Sequence, residues 1–148
     1  MVAPNSLIGT TLEVVSGEPA TYDETGYDAL SMTEVLGVQS IGELGDESER
    51  IAVKTLKDGR VQYANGTKDF PPFSIQFLPD ATDAGQVIIA AANNTNTLHS
   101  ILIEKPSGRQ IYLTGRFANL KETGLDPDSV DGRMVEFRPA YAPVYATA

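Results

Sequence analysis

The fold class follows from the stretch Ile51-Ala52-Val53-Lys54-Thr55-Leu56-Lys57-Asp58-Gly59-Arg60-Val61-Gln62-Tyr63. Apolar and polar side chains alternate with period two as far as Leu56, and this alternation indicates a β-strand. Asp58-Gly59 supplies the positive φ that a tight turn needs, and a second strand begins at Val61. The sequence therefore predicts a β-hairpin here.

Similar short runs of β-branched or alternating residues recur along the whole chain. They lie at residues 10–15, 32–38, 50–56, 60–64, 73–78, 98–104, 110–118 and 132–138. Turn signals separate them, among them Asn65-Gly66, and a second hairpin is predicted around the turn 105–109. There Pro106 presets φ and Gly108 can adopt the left-handed conformation. Short strands at this spacing predict a sandwich or a barrel.

One helix is predicted, over about residues 81–93. Asp80 is expected to cap its N-terminus, and Asn93-Asn94 are expected to end it. Its buried stripe has helical spacing and consists of Ala84, Val87, Ile88 and Ala91. The fold class is therefore mainly β: a β-sandwich or barrel with one flanking α-helix, a long acidic loop and an extended C-terminal arm.

Length and composition indicate one domain over residues 1–148 and exclude some classes of chemistry. The chain has 148 residues, no cysteine, one histidine and a formal net charge of −9. Without cysteine there is no disulfide, thiolate metal site or thiol nucleophile. The acidic balance disfavours a protein that holds nucleic acid, because that hold comes mainly from Lys and Arg. No signal peptide or membrane helix is expected, since no apolar run approaches about 20 residues.

Two segments do not fit a self-contained domain. Residues 40–49 form an acidic loop, and residues 139–148 form an uncharged arm with two prolines and two tyrosines. Disordered tails are usually polar, so an apolar arm is expected either to lie on its own domain or to pack on a neighbouring copy. We predict inter-subunit contacts at Ile41, Glu43, Leu44, Asp46, Glu47, Glu49, Tyr141, Val144 and Tyr145.

No enzymatic motif emerges, and the protein is not expected to be an enzyme. His99 is interpreted as a surface or strand-end residue, because no nucleophile–base pair can be assigned to it. Residues 126–132 differ from a calcium loop in the position of the third Asp and in having Phe137 at the twelfth position. No catalytic residue, metal or cofactor is predicted. A monomeric β-sandwich module that binds a ligand at its acidic loop remains an alternative.

The order of features resembles that of siphophage tail tube proteins (major tail proteins). The stretches that carry this resemblance span most of the chain and lie at residues 8–14, 22–27, 33–45, 56–60 and 79–86. They include Leu56-Lys57-Asp58-Gly59-Arg60, which matches a Leu-x-x-Gly-Arg turn, and Asp83-Ala84-Gly85-Gln86 at the helix start. A hairpin and an arm complete the pattern.

The resemblance implies a structural protein of the virion. Members form hexameric rings that stack into a hollow tube with an acidic inner wall, through which DNA passes during ejection. The implied partners are further copies of the chain, a tape-measure protein, and tail-tip and terminator proteins, with assembly in the host cytoplasm and no membrane. Related alternatives are a distal tail or terminator subunit and an Hcp-like secretion tube subunit.

Overall fold

A computed structural model describes residues 9–45, 47–54, 59 and 61–147. Two helices are present, α1 (Glu24–Asp28) and α2 (Ala84–Asn93). The strands are β1 (Thr11–Ser16), β2 (Thr33–Val35), β3 (Val38–Ile41), β4 (Glu47–Lys54), β5 (Val61–Asp69), β6 (Phe73–Phe77), β7 (His99–Glu104), β8 (Arg109–Thr123), β9 (Gly132–Pro139) and β10 (Val144–Thr147). The prediction of a mainly β fold with a flanking helix is confirmed.

Eight strands form one antiparallel sheet in the order β2-β1-β7-β8-β9-β6-β3, with β10 added to β8. The long strand β8 joins the two halves of this sheet. Its first part pairs with β7 and β10, and its second part pairs with β9. A register shift separates Ala118 from Lys121, where Asn119 has a φ of 55°. Such a bulge bends a strand, so β8 can contribute to both layers of a sandwich.

One apolar core lies between these strands. Alternate residues of the strands point into it, as the period of a half-buried strand requires. Its fully buried members include Val14, Ile101, Leu113, Val135 and Phe137. Helix α2 packs Ile89 and Ala92 against the same core. The predicted buried stripe was wrong, because Ala84, Val87 and Ala91 are exposed and the buried face of α2 is rotated to Gly85, Gln86, Ile89 and Ala92. A second, smaller cluster around Tyr27, Leu102 and Tyr112 lies under α1.

The boundaries of the predicted helix differ from the structure at its N-terminus. Helix α2 begins at Ala84, and its N-cap is Asp83, whose Oδ2 accepts a hydrogen bond from the amide of Gln86 at 3.2 Å. The Asp80 cap was therefore wrong, because that carboxylate accepts hydrogen bonds from the amide and hydroxyl of Thr82 instead. Helix α1, capped by Asp23, was not predicted at all.

Several strand predictions also change. The predicted strand at 32–38 is divided into β2 and β3 around Gly37, which has a φ of 79°. The predicted turn at Asn65-Gly66 was wrong, because both residues lie within β5 beside a register shift. The turn before β8 is confirmed, with Gly108 at a φ of 92°. Of the predicted loop 40–49, only residues 42–45 are described as irregular, and the segment 144–147 of the predicted arm forms β10.

Candidate functional site

The hairpin formed by β4 and β5 is a separate two-stranded sheet. Neither strand pairs with the main sheet, and all eight residues of β4 are exposed. In β5 only Gly66 is partly covered. An isolated two-stranded hairpin is at best marginally stable in water. Its backbone edges and both of its faces are therefore available to another molecule.

One face of this hairpin is apolar near its middle. Antiparallel pairing places Ile51 opposite Ala64 and Val53 opposite Gln62, and directly opposed residues share a face. Ile51 is 49% exposed and Val53 is 45% exposed. We call these four residues the apolar face. Closer to the main sheet the same side of β4 carries Glu47 and Glu49, two of the predicted contact residues, both of which are exposed.

The opposite face of the hairpin combines cations with an aromatic ring. Arg50 lies opposite Asn65, Ala52 opposite Tyr63, and Lys54 opposite Val61. We call these six residues the cationic face. The guanidinium carbon of Arg50 lies 3.2 Å from the centroid of the Tyr63 ring, a cation–π contact that holds both side chains in place. Tyr63 is nevertheless 54% exposed.

Three predicted contact residues meet at a cavity beside the start of β8. Ile41, Leu44 and Tyr145 line a cavity of about 300 Å³ together with Ile103, Ile111 and Arg109. A second cleft, of about 570 Å³, is lined by residues 42–45, by Glu47 and by residues 71–74, and it includes the predicted contacts Glu43 and Glu47. This cleft places the loop beside the start of β4, at the base of the hairpin.

The C-terminal segment lies mainly on its own domain. Val144 packs against the cluster of Tyr27 and Tyr112, while the exposed Tyr145 ring lies under the Arg109 guanidinium at 4.9 Å. Tyr141 stacks on Tyr22 with ring centroids 4.2 Å apart. Tyr141 also lines a cleft with Lys68 and Asp69 at the base of the hairpin.

The structure therefore brings the loop and the arm together around the base of the hairpin. Asp46, another predicted contact residue, lies outside the described residues. Contact of all these residues with another subunit stays a prediction. Sequence analysis missed Arg50 and Tyr63 as candidate contact residues, although the signal was present: both faces of residues 51–63 carry large apolar or aromatic side chains, and a packed strand needs only one such face.

The residues that were considered as candidate catalytic or metal-binding groups make contacts within the fold itself. His99 is buried at the start of β7, where its Nδ1 lies 3.1 Å from the carbonyl oxygen of Thr97 and its ring meets the edge of Phe117. Asp126 Oδ1 accepts hydrogen bonds from the Asp128 amide and the Ser129 hydroxyl. Within the described ranges, no group of three or more His, Asp or Glu residues is placed to hold a metal ion.

The phenol of Tyr112, near α1, has a raised pKa. Burial raises its pKa, and the hydrogen bond to Asp28 at 2.7 Å raises it further. Both effects keep the phenol neutral and donating to the carboxylate, which ties α1 to the sheet. None of the described helices has both the length and the apolarity to span a membrane.

Comparison of the sequence with family models finds no match, and no curated protein matches either. The fold does match solved structures. A chain in the cryo-EM structure of the anti-feeding prophage (AFP) baseplate, 6-fold symmetrised, has a TM-score of 0.73 at 9% identity, covering 99% of this chain and 98% of that one. A chain of the AFP baseplate therefore has this fold.

Two further structures give the same result over nearly the whole chain. The tail of an empty GTA particle, refined with C6 symmetry, contains a chain with a TM-score of 0.68 at 9% identity, with 99% of each chain covered. The AFP tube-terminating cap contains one with a TM-score of 0.63 at 10% identity, with 100% of this chain and 95% of that one covered. At such identities the likeness establishes the fold.

Proposed function

We propose that this chain is a structural subunit that assembles with copies of itself into stacked hexameric rings, forming the hollow tail tube of a phage of the siphophage type. The tube would be the conduit for DNA during ejection. Its partners would be a tape-measure protein and the tail-tip and terminator proteins. The subunit would assemble in the host cytoplasm, act in the virion and catalyse no reaction.

The hairpin is the observation that carries this proposal. Ile51, Val53, Val61 and Tyr63 are all large apolar or aromatic side chains, and all four are more than 40% exposed on it. Their burial would release about 25 cal/mol per Å² of apolar area, and unpaired strand edges favour addition of another chain. A subunit that binds its own copies satisfies both requirements, and the 6-fold and C6 symmetry of the assemblies with this fold supports a ring of six.

The charge of the chain is compatible with a conduit. With 20 acidic and 11 basic side chains, a tube of many copies carries a large negative charge, which repels phosphate groups. Affinity for DNA comes mainly from cationic contacts, so acidic residues along an inner wall would let DNA move without being held.

A terminator subunit is the second candidate, favoured by the match to the AFP tube-terminating cap. A tube protein adds copies without a fixed limit, because the stacking of rings is an open assembly. A terminator subunit forms rings that do not polymerise indefinitely. Tube length therefore separates the two candidates.

Negative-stain electron microscopy of the purified protein, across protein and salt concentrations, tests the proposal. We expect rings or tubes of uniform width. The double variant Ile51→Ser/Val53→Ser removes the large side chains of the apolar face, and it should abolish tubes while leaving the dilute monomer folded by circular dichroism. Val87→Ser, which changes a valine that is exposed on α2, serves as the matched control and should assemble as the wild type does.

Two outcomes would contradict the proposal. One is a wild-type protein that sediments as a monomer at the highest soluble concentration and does not extend tubes on addition of preformed tube fragments. The other is a double variant that assembles as well as the wild type. Single rings without tubes would select the terminator.

A further inference from the structure

The hairpin carries a net charge of the opposite sign to the rest of the chain. From the start of β4 to the end of β5, residues 47–69 contain five of the 11 basic side chains and four of the 20 acidic ones, a formal charge of +1, so the remaining residues carry −10. The acidic side chains of the two strands, Glu47, Glu49 and Asp69, lie on the side of the apolar face. Charge separated in this way along one chain creates opposite potentials on different parts of its surface.

Two of the basic side chains, Arg50 and Lys54, belong to the cationic face, which has no acidic member. Arg50 and Lys54 alternate on β4, and the register places Lys68 opposite Ser48, two residues before Arg50. Within the described part of the chain, none of these three cations forms an ion pair. The Arg50–Tyr63 contact holds the guanidinium over the ring without neutralising its charge.

The main sheet and its helices, in contrast, have many carboxylates without a neighbouring cation. Their described residues form two ion pairs, Arg133–Glu122 and Arg138–Glu136. Most other carboxylates therefore have no cation beside them in the same copy. On β1 and β2 the carboxylates of Glu13 and Glu34 are directly opposed across the ladder. Like charges at such positions destabilise a sheet, and a cation from another molecule would relieve the repulsion.

This distribution of charge discriminates between two modes of self-association. Two hairpins packed through their cationic faces would place Arg50 and Lys54 of each copy against those of the other, and like-charge contact disfavours such an interface. A hairpin on the acidic body of the next copy brings opposite charges together instead.

We propose that the cationic face of the β4–β5 hairpin docks on the acidic body of a second copy, so that subunits associate head to tail. This inference rests on the proposed self-assembly and specifies its geometry. A head-to-tail contact uses two different surfaces of each subunit, so it generates closed rings or open stacks, whereas a contact of one surface with itself ends at a dimer.

Charge reversal on the hairpin tests the inference. The variant Arg50→Glu/Lys54→Glu loses its docking face and keeps an intact body. Added to wild-type protein in a minor proportion, it should bind at growing ends and stop growth, so that mean tube length falls severalfold. Arg116→Glu/Lys121→Glu produces the same change in net charge on exposed residues of β8, and this control should leave length unchanged.

A photo-crosslinker in place of Tyr63 gives an independent readout that does not need tubes. Mass spectrometry of crosslinked dimers should identify hairpin-to-body peptides, and their yield should fall about tenfold between low and high salt, because rim charges are screened. Hairpin-to-hairpin peptides would overturn the inference while leaving self-assembly intact. Full assembly by the charge-reversed variant alone would also overturn it.

Failure of the proposed function would look different, because no crosslinked dimer of any kind would form.

The remaining outcome is that the basic side chains of the hairpin bind DNA instead of a second copy. In that case the wild type would retard a duplex in a gel at physiological salt, Arg50→Glu/Lys54→Glu would not, and tube length would be insensitive to the variant. That result would overturn the inference.

Discussion

The β4–β5 hairpin and the β8–β9 pair are both antiparallel strand pairs, but they differ in how far their side chains are buried. Phe137 and Val135 on β9 are completely buried, whereas Val53 and Tyr63 on the hairpin are about half exposed. Strand pairing alone therefore does not stabilise either element. What stabilises β8 and β9 is the apolar surface that they bury against the other strands, whereas the described hairpin residues bury no side chain against the described part of the subunit.

The largest expected difference between the two regions comes from removing one aromatic ring in each. Phe137→Ala should cost about 4 kcal/mol of unfolding free energy, because it leaves a cavity between Phe73 and Phe117. Tyr63→Ala should change the stability of the dilute subunit by less than about 1 kcal/mol. Urea denaturation of both variants checks this, and comparable losses would show that the hairpin is part of the folded core.

A polar side chain gives the second test. Gln86 donates hydrogen bonds from Nε2 to the carbonyl oxygens of Leu36 and Leu78 and accepts one from the Asp80 amide, each at 2.8 Å. Gln86→Leu keeps the volume but leaves these groups unpaired, so we expect a loss of about 2–3 kcal/mol. Gln62→Leu on the hairpin is the control, and it should be near neutral in the same thermal denaturation experiment.

The third test compares Asp83, which caps the N-terminus of α2, with Asp80, which the sequence pattern alone does not distinguish from it. Asp83 accepts hydrogen bonds from Gln86 and also from the Leu36 amide at 3.1 Å, which joins α2 to the segment after β2. Asp83→Ala should therefore cost about 1–2 kcal/mol. Asp80→Ala should have a smaller effect, because it removes only a local exposed turn with Thr82. Equal losses in calorimetry would contradict this assignment of the cap.

The smallest effect is electrostatic and depends on pH. Burial raises the pKa of Glu13, and the neighbouring carboxylates of Glu104 and Glu34 raise it further. Because the pKa is higher in the folded state, the resulting destabilisation is absent below about pH 4 and develops as the pH rises through the folded value. Glu13→Gln should therefore stabilise the subunit by about 0.5 kcal/mol at pH 7, since solvent screens a partly exposed group.

The effect of Glu13→Gln should disappear in melts at pH 3.5. A variant that stabilises equally at both pH values would show that its effect does not come from charge. If the hairpin of a neighbouring copy supplies a cation near this carboxylate, the benefit of the substitution should also be smaller in assembled material than in the dilute subunit.

Local sequence patterns were sufficient to predict most strands and the presence of α2. Alternation at residues 98–104 and 110–118 predicted β7 and β8, and Gly108 predicted the turn between them, because period and turn chemistry act over a few neighbouring residues. Strand ends were less well predicted. The division between β2 and β3 depends on Gly37 packing against the Leu78 carbonyl, with a Cβ placed there meeting it at 3.1 Å.

The candidate site was predicted only in part. Ile41, Leu44 and Tyr145 were named from the composition of two segments, and the structure places all three at one cavity. The sequence did not indicate that these residues share a cavity, because residues 41, 103 and 145 are far apart in the chain and only sheet topology brings them together.

The sequence by itself determined the class of the fold, the position of its hairpins and the excess of acidic over basic side chains. These properties follow from residue identity and short-range spacing. Only the tertiary structure decided that Asp83 caps α2, that residues 144–147 pair with β8, and that β4 and β5 stay apart from the main sheet. The reason is that burial is collective: whether an alternating strand packs against the core or remains exposed depends on which surfaces the rest of the chain has already covered.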